Sequence, residues 1–154
     1  MKRTASLKDQ LDATFGRIGG IDQSEFELRA DFARYLCVLV NGYLEQSIRN
    51  ACAEYARRRA QPSVANYVVK ATSRLSSLKA GNLKEQLLAF DASWQAELDA
   101  LIVDEIKDAI DSVVSLRHGI AHGQGVDITF ERISRYYVEV SKAVVSIEKM
   151  MGVD

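Results

Sequence analysis

Residues 24–60 read SEFELRADFARYLCVLVNGYLEQSIRNACAEYARRRA. Leu28, Phe32, Leu36, Leu39, Tyr43, Ile48, Cys52 and Tyr55 recur every three or four positions, the period of one face of an α-helix. Nothing breaks the pattern before Pro62, so the stretch predicts a single helix roughly 55 Å long, against a usual length of about 12 residues. Ser24 and Glu27 have the spacing of a capping box at its start. Asn41-Gly42 is the expected bend, since a mid-helix glycine costs ~1 kcal/mol against alanine. Arg57-Arg58-Arg59 places cations at the negative end of the helix dipole; the same trio also reads as a phosphate-contacting patch.

Working outward, the periodicity stays helical. Leu7, Leu11 and Phe15 predict a short amphipathic helix over residues 1–15, closed by Gly16 and Gly19-Gly20. Pro62 opens a helix with Val64, Val68, Ala71, Leu75 and Leu78 on one face and Lys70, Arg74 and Lys79 on its solvated face; Gly81 should stop it. Asn82 and Glu85 suggest a cap for a shorter helix holding Leu83, Leu87, Leu88 and Phe90. Asp91 to Trp94 reads as a turn or new cap, with Trp94 a core anchor. Ile102, Ile106, Ile110, Val113 and Ile120 predict a further helix, ended by Gly123-Gln124-Gly125. Asp127 or Thr129 caps a last one holding Ile133, Tyr136, Tyr137, Val140, Val144, Ile147 and Met151. No strand alternation or internal repeat interrupts this. The expectation is an all-α domain: an up-and-down four-helix-type bundle with one very long helix and one or two short extra ones. One domain covers residues 1–154, with a core of about 22–151.

Composition limits the function classes. The 154 residues are 47% hydrophobic, enough for a real core, and carry a net charge of −1, so no global basic excess marks the chain for polyanions. No run approaches the ~18 apolar residues of a membrane span. No apolar region follows the basic start Met1-Lys2-Arg3, which argues against a signal peptide. Cys37 and Cys52, 15 steps apart on one helix, would lie roughly 22 Å apart, and a disulfide needs ~7 Å. A reducing, cytoplasmic setting fits.

Both histidines lie in Ser115-Leu116-Arg117-His118-Gly119-Ile120-Ala121-His122-Gly123. Arg117 follows Val113 by four and precedes Ile120 by three, which places it on the apolar stripe, where a charge needs a partner or a wet cleft. His118 and His122 share another face with Ser115, Asp111, Asp108 and Asp104. Two imidazoles can act as base and acid near neutral pH, and an arginine matches a phosphate or its pentacoordinate transition state. The set suits RNA cleavage by internal attack. A histidine takes the ribose 2′-hydroxyl proton, the oxygen attacks phosphorus, and an acid protonates the leaving 5′-oxygen. The products carry 2′,3′-cyclic phosphate and 5′-hydroxyl ends, and neither metal nor cofactor is required. Arg117 and His122, five residues apart, point roughly 140° apart on an ideal helix. Either Gly119 distorts the helix or two copies of the chain share the site about a two-fold axis. Two plainer readings stand beside this. One is a zinc pair at i, i+4 spacing, without an accompanying H-E-x-x-H pattern or ligating cysteine. The other is a pair of ordinary helix C-terminal histidines.

Arg117-His118-x-x-x-His122 resembles the R-polar-x-x-x-H signature of the HEPN superfamily of small helical ribonucleases and nucleotide-binding domains. Residues 30–49, the Phe90-Asp91-x-x-Trp94 turn and Leu116 to Gly123 look like its RiboL-PSP-HEPN subgroup, over about residues 25 to 150. The resemblance implies a four-helix core and a homodimer whose cleft joins Arg117 and His122 of both copies. It also implies metal-independent endoribonuclease activity, often in toxin–antitoxin or antiviral defence systems, with RNA as substrate and an antitoxin or other regulatory protein as partner. By motif, Arg117 and His122 carry over as catalytic, and His118 as the polar residue after the arginine. Some such families add a polar residue on the long helix. Asn41, Glu45 and Arg49 share one face there, and with Ser115 they are the candidate RNA or nucleotide contacts; Glu45 is also a candidate buried partner for Arg117. The other reading within the family is a noncatalytic module that binds nucleotide, RNA or a protein.

Overall fold

The computed structural model describes residues 2–154, with side chains from Ser6 onward. Among them it is all-α: α1 (Lys2–Gly19), α2 (Phe26–Arg59), α3 (Pro62–Thr72), α4 (Ala80–Leu88), α5 (Gln95–Leu101), α6 (Asp104–Ala121) and α7 (Phe130–Met151), with a 3-10 turn at Ala92–Trp94. The long helix forms as expected and runs without interruption through Asn41-Gly42. None of the helices among the described residues is long and apolar enough to cross a membrane.

The bundle is built from α1, α2, α6 and α7. At one end of α2, Arg29 pairs with Glu131 at the start of α7 (3.2 Å); at the other, Arg58 Nη1 donates to the Gly152 carbonyl just past the end of α7 (2.9 Å). The two helices therefore run side by side in the same direction. Two of the three arginines at 57–59 serve this end of the fold: Arg58 also pairs with Glu54 (2.8 Å), and Arg59 lies over the Tyr55 ring at 4.2 Å. A short loop joins α6 to α7 and turns α6 antiparallel to both. On the other side of α7, Tyr137 stacks on Phe15 (centroids 4.6 Å) and donates from its hydroxyl to Asp12 (2.6 Å), which locks α1 in place. The shared core joins Leu11 and Ile18 of α1 to Leu36, Leu44 and Ile48 of α2, Ile110 and Val113 of α6, and Ile133, Val144 and Ile147 of α7. Because α2 packs against several helices, its buried face is broad and takes in Ala33, Val40 and Ala51 beside the expected stripe, while Leu28 at its start is exposed. Cys37 and Cys52 both lie on α2, buried and unpaired; desolvation pushes each thiol up to about 12.

Several boundaries differ from the sequence reading. The first helix continues past Gly16 to Gly19. Ser24 does not cap α2: its amide and hydroxyl both donate to Asp22 Oδ1 (2.8 and 2.7 Å), a local turn that competes with the helix, and α2 starts two residues later. The third helix ends at Thr72, not Gly81, with Thr72 and Ser73 hydroxyls bonded back onto Val68 and Lys70 carbonyls. Leu75 and Leu78 keep the apolar spacing from within the loop; Leu78 is fully buried. Asn82 sits inside α4, donating to the Ser77 carbonyl, and the cap role falls to Asp111 of α6, which accepts from the Ala80 amide at 2.8 Å. The turn at Asp91 agrees with the sequence reading, with Asp91 Oδ1 accepting from the Ser93 amide (2.9 Å), but the short α5 behind it, anchored by fully buried Leu98, has no counterpart in that reading. Trp94 meets Tyr55 edge-on (5.5 Å) at the margin of the core and is only half-buried, so it is no core anchor. Of the two candidate caps for α7, Thr129 does the work, accepting from the Arg132 amide (3.1 Å).

The Asp12–Tyr137 bond has a pH consequence. Burial raises the Asp12 carboxyl, but hydrogen bonds from Lys8 and Tyr137 outweigh it and hold it below the usual carboxylate range. A carboxyl depressed in the folded state stabilises fully above its unfolded value and loses that contribution as pH falls through the folded one. Asp12→Asn should therefore lower the thermal midpoint at pH 7, and its difference from the parent should shrink below about pH 4. Thermal melts of both proteins over pH 2–7 check this.

Candidate functional site

The last two turns of α6 present Ser115, Arg117, His118 and His122, all solvent-exposed. The helix stays regular through Ala121, so Gly119 does not distort it. Gly119 has another task. It is buried beneath the following loop, and a Cβ there would meet Val126 Cγ2 at 3.1 Å and Gln124 Oε1 at 3.4 Å. That loop closes the helix. The Gly123 amide donates to the Ile120 carbonyl (3.1 Å), and the Gln124 amide donates to the Gly119 carbonyl (2.9 Å). Gly123 takes φ +68°, which completes a Schellman motif with His122 as the last half-helical residue. The Gly123-Gln124-Gly125 stop is thus what fixes the position of His122.

Arg117 is not on the buried side. In the final turn the covered residues are Gly119, beneath the folded-back loop, and Leu116 and Ile120, packed against the core, and Arg117 points roughly 100° away from their mean direction. It needs no buried partner and has none: among the described residues its guanidinium, like both imidazoles, makes no hydrogen bond or ion pair. The His118 and His122 rings lie against each other, centroids 4.3 Å apart and tilted 54°. Among the described residues they are not joined by the further His, Cys, Asp or Glu that a metal-binding cluster would need.

The polar residues of the long helix bond within the chain. Glu45 accepts from Asn41 Nδ2 (3.2 Å), from Arg49 (3.5 Å) and from the Ser77 amide (3.2 Å), and Arg49 Nε donates to the Leu75 carbonyl (2.8 Å). Together they clasp the α3–α4 loop and hold Ser77 at φ +51°. Glu45 is therefore not the partner of Arg117. Asp111, farther down the histidine face, is committed as well. Burial raises its carboxyl, but the Ala80 amide and Lys107 more than compensate and keep it below the usual range. The structure thus brings Ser115, Arg117, His118 and His122 to one helix end, while Glu45 and Arg49 bond to a loop and Asn41 bonds to Glu45.

Gly123→Ala should force a side chain into a left-handed backbone, costing on the order of 1–2 kcal/mol and displacing His122. A lowered melting temperature with a changed His122 side-chain NMR signal is the expected outcome; unchanged values of both would contradict the closure described.

The family model for RiboL-PSP-HEPN matches residues 2–151. No curated protein and no solved structure matches the chain. The match takes in α1 as well as the region from residue 25 that carries the motif, so nearly the whole bundle falls inside it. The chain belongs to the RiboL-PSP-HEPN family, and its domain is of the HEPN type, a class of nuclease or nucleotide-binding modules.

Proposed function

We propose that this protein is a metal-independent endoribonuclease whose site is completed in a homodimer. The observation that carries the reading is the state of Arg117, His118 and His122: exposed, with no hydrogen bond or ion pair among the described residues, and gathered at one helix end. An arginine with no carboxylate neighbour is free to take a phosphate. One histidine takes the 2′-hydroxyl proton as the oxygen attacks phosphorus, the guanidinium holds the charge on the phosphoryl oxygens, and a second histidine gives a proton to the departing 5′-oxygen. All three side chains are exposed on the single chain. A second copy facing the same helix end supplies an opposing wall and brings Arg117 of one chain to His122 of the other. The family resemblance extends the proposal to a toxin or antiviral defence effector held in check by an antitoxin or other regulatory protein. The near-neutral net charge of −1 favours a second reading, a noncatalytic module that binds nucleotide, RNA or a protein.

Incubation of purified protein with single-stranded RNA in EDTA decides between them. The proposal expects fragments with 2′,3′-cyclic phosphate and 5′-hydroxyl ends, and a drop of roughly 100-fold or more in Arg117→Ala and His122→Ala. Wild-type cleavage by His122→Ala overturns the assignment; binding without cleavage by the unaltered protein supports the second reading.

A further inference from the structure

At the end of the bundle where α1, α2 and α7 meet lies a cleft of about 270 Å³. Its rim carries Phe26, the first residue of α2, which is 80% exposed, more than any other large apolar side chain described. An aromatic ring this open contributes little to the core, and the helix start does not call for it. Deeper in, Arg29 lies over the Phe130 ring with its Cζ 5.2 Å from the centroid. The Ile21 carbonyl (2.9 Å) and Glu131 (3.2 Å) hold that guanidinium in place. Gln23, Thr129 and Glu131 add an amide, a hydroxyl and a carboxylate at the edges. An apolar face to stack on, with both donors and acceptors around it, is the chemistry that receives a splayed-out base of single-stranded RNA.

The cleft is tied to the helix end that carries the histidines. The loop after His122 folds back so that Val126 touches Gly119, and then reaches Thr129 in the cleft wall. Three steps of chain bring Thr129 within about 11 Å of Val126. Helix α6 runs antiparallel to α2 and packs on it, so the histidines at the end of α6 and Phe26 at the start of α2 lie at the same end of the bundle, where one RNA strand can touch both.

We propose that this cleft is a nucleobase subsite in which Phe26 stacks on a base of single-stranded RNA flanking the cleaved phosphate, with Gln23, Thr129 and Glu131 reading its edge. The inference rests on the ribonuclease reading and deepens it. Its test separates the two. Binding of a fluorescent single-stranded RNA is measured by anisotropy in the His122→Ala background, with and without Phe26→Ala and Phe26→Trp, while cleavage is followed in the otherwise unaltered chain. Loss of one stacked base should weaken binding roughly five- to hundredfold in Phe26→Ala, and Phe26→Trp should restore it. Circular dichroism should show the same fold, since the ring is exposed. Binding by Phe26→Ala within twofold of its parent, in a protein that still cleaves RNA, overturns the subsite and leaves the ribonuclease reading intact. A Phe26→Ala protein that sediments as a monomer where its parent is a dimer also overturns it, and assigns the ring to the contact between copies. If the unaltered chain neither binds nor cleaves RNA, both readings fall.

Discussion

Arg117 and the C-cap residue His122 stand five positions apart at the end of α6, and that spacing turns their side chains roughly 140° apart. The structure leaves the spacing rigid. Gly119 carries the helix straight on, and the Schellman closure at Gly123 pins His122 at its end. The backbone positions of both residues are set by this last turn and by the loop that packs Val126 over Gly119. The rest of the bundle serves the same rigidity. Helix α6 lies against α2 and α7, whose common direction is secured at one end by Arg29–Glu131 and at the other by Arg58 on the Gly152 carbonyl. An arginine and a histidine fixed to diverge on one chain are a poor pair for a single phosphate, and a natural pair for one held between two chains.

The polar interior follows a similar logic of fixed geometry. Glu45 gathers Asn41, Arg49 and the Ser77 amide, and Asp111 takes the Ala80 amide. These contacts satisfy the backbone of a loop that has no regular structure of its own, against the flank of α2 on one side and α6 on the other. Glu45 and Arg49, two of the candidate substrate contacts on the long helix, also fasten that loop. Arg117, His118 and His122 carry no such bonds among the described residues and face solvent.

Much of this was legible in the sequence. The unbroken apolar period from Leu28 to Tyr55, the proline at 62 and the glycines at 123 and 125 placed the long helix, the start of α3 and the end of α6. What failed did so for local physical reasons. Leu75 and Leu78 keep helical spacing because the core needs them, whatever backbone delivers them. Ser24 bonds to Asp22 and so is lost to α2. A helix of seven residues with one fully buried side chain, α5, leaves no period to read. A helical wheel puts Arg117 on the buried stripe because it assumes the same neighbours along its length, whereas the loop at 124–126 shifts the covered side in the last turn. That error concealed how accessible the candidate site is. The exposed ring of Phe26 could not be told from a core aromatic by spacing alone.

Subunit exchange between two inactive variants tests the shared site most directly. Arg117→Ala and His122→Ala are purified separately, mixed under conditions that let copies exchange, and assayed for RNA cleavage in EDTA. A mixed dimer keeps one intact arginine and one intact histidine, on different chains. If the two residues serve one phosphate across the interface, activity returns on mixing to about a quarter of wild type, since half the dimers are mixed and each retains one of two pairings. If the mixture stays as inactive as its components although mixed dimers have formed, the site is not shared and the account is wrong.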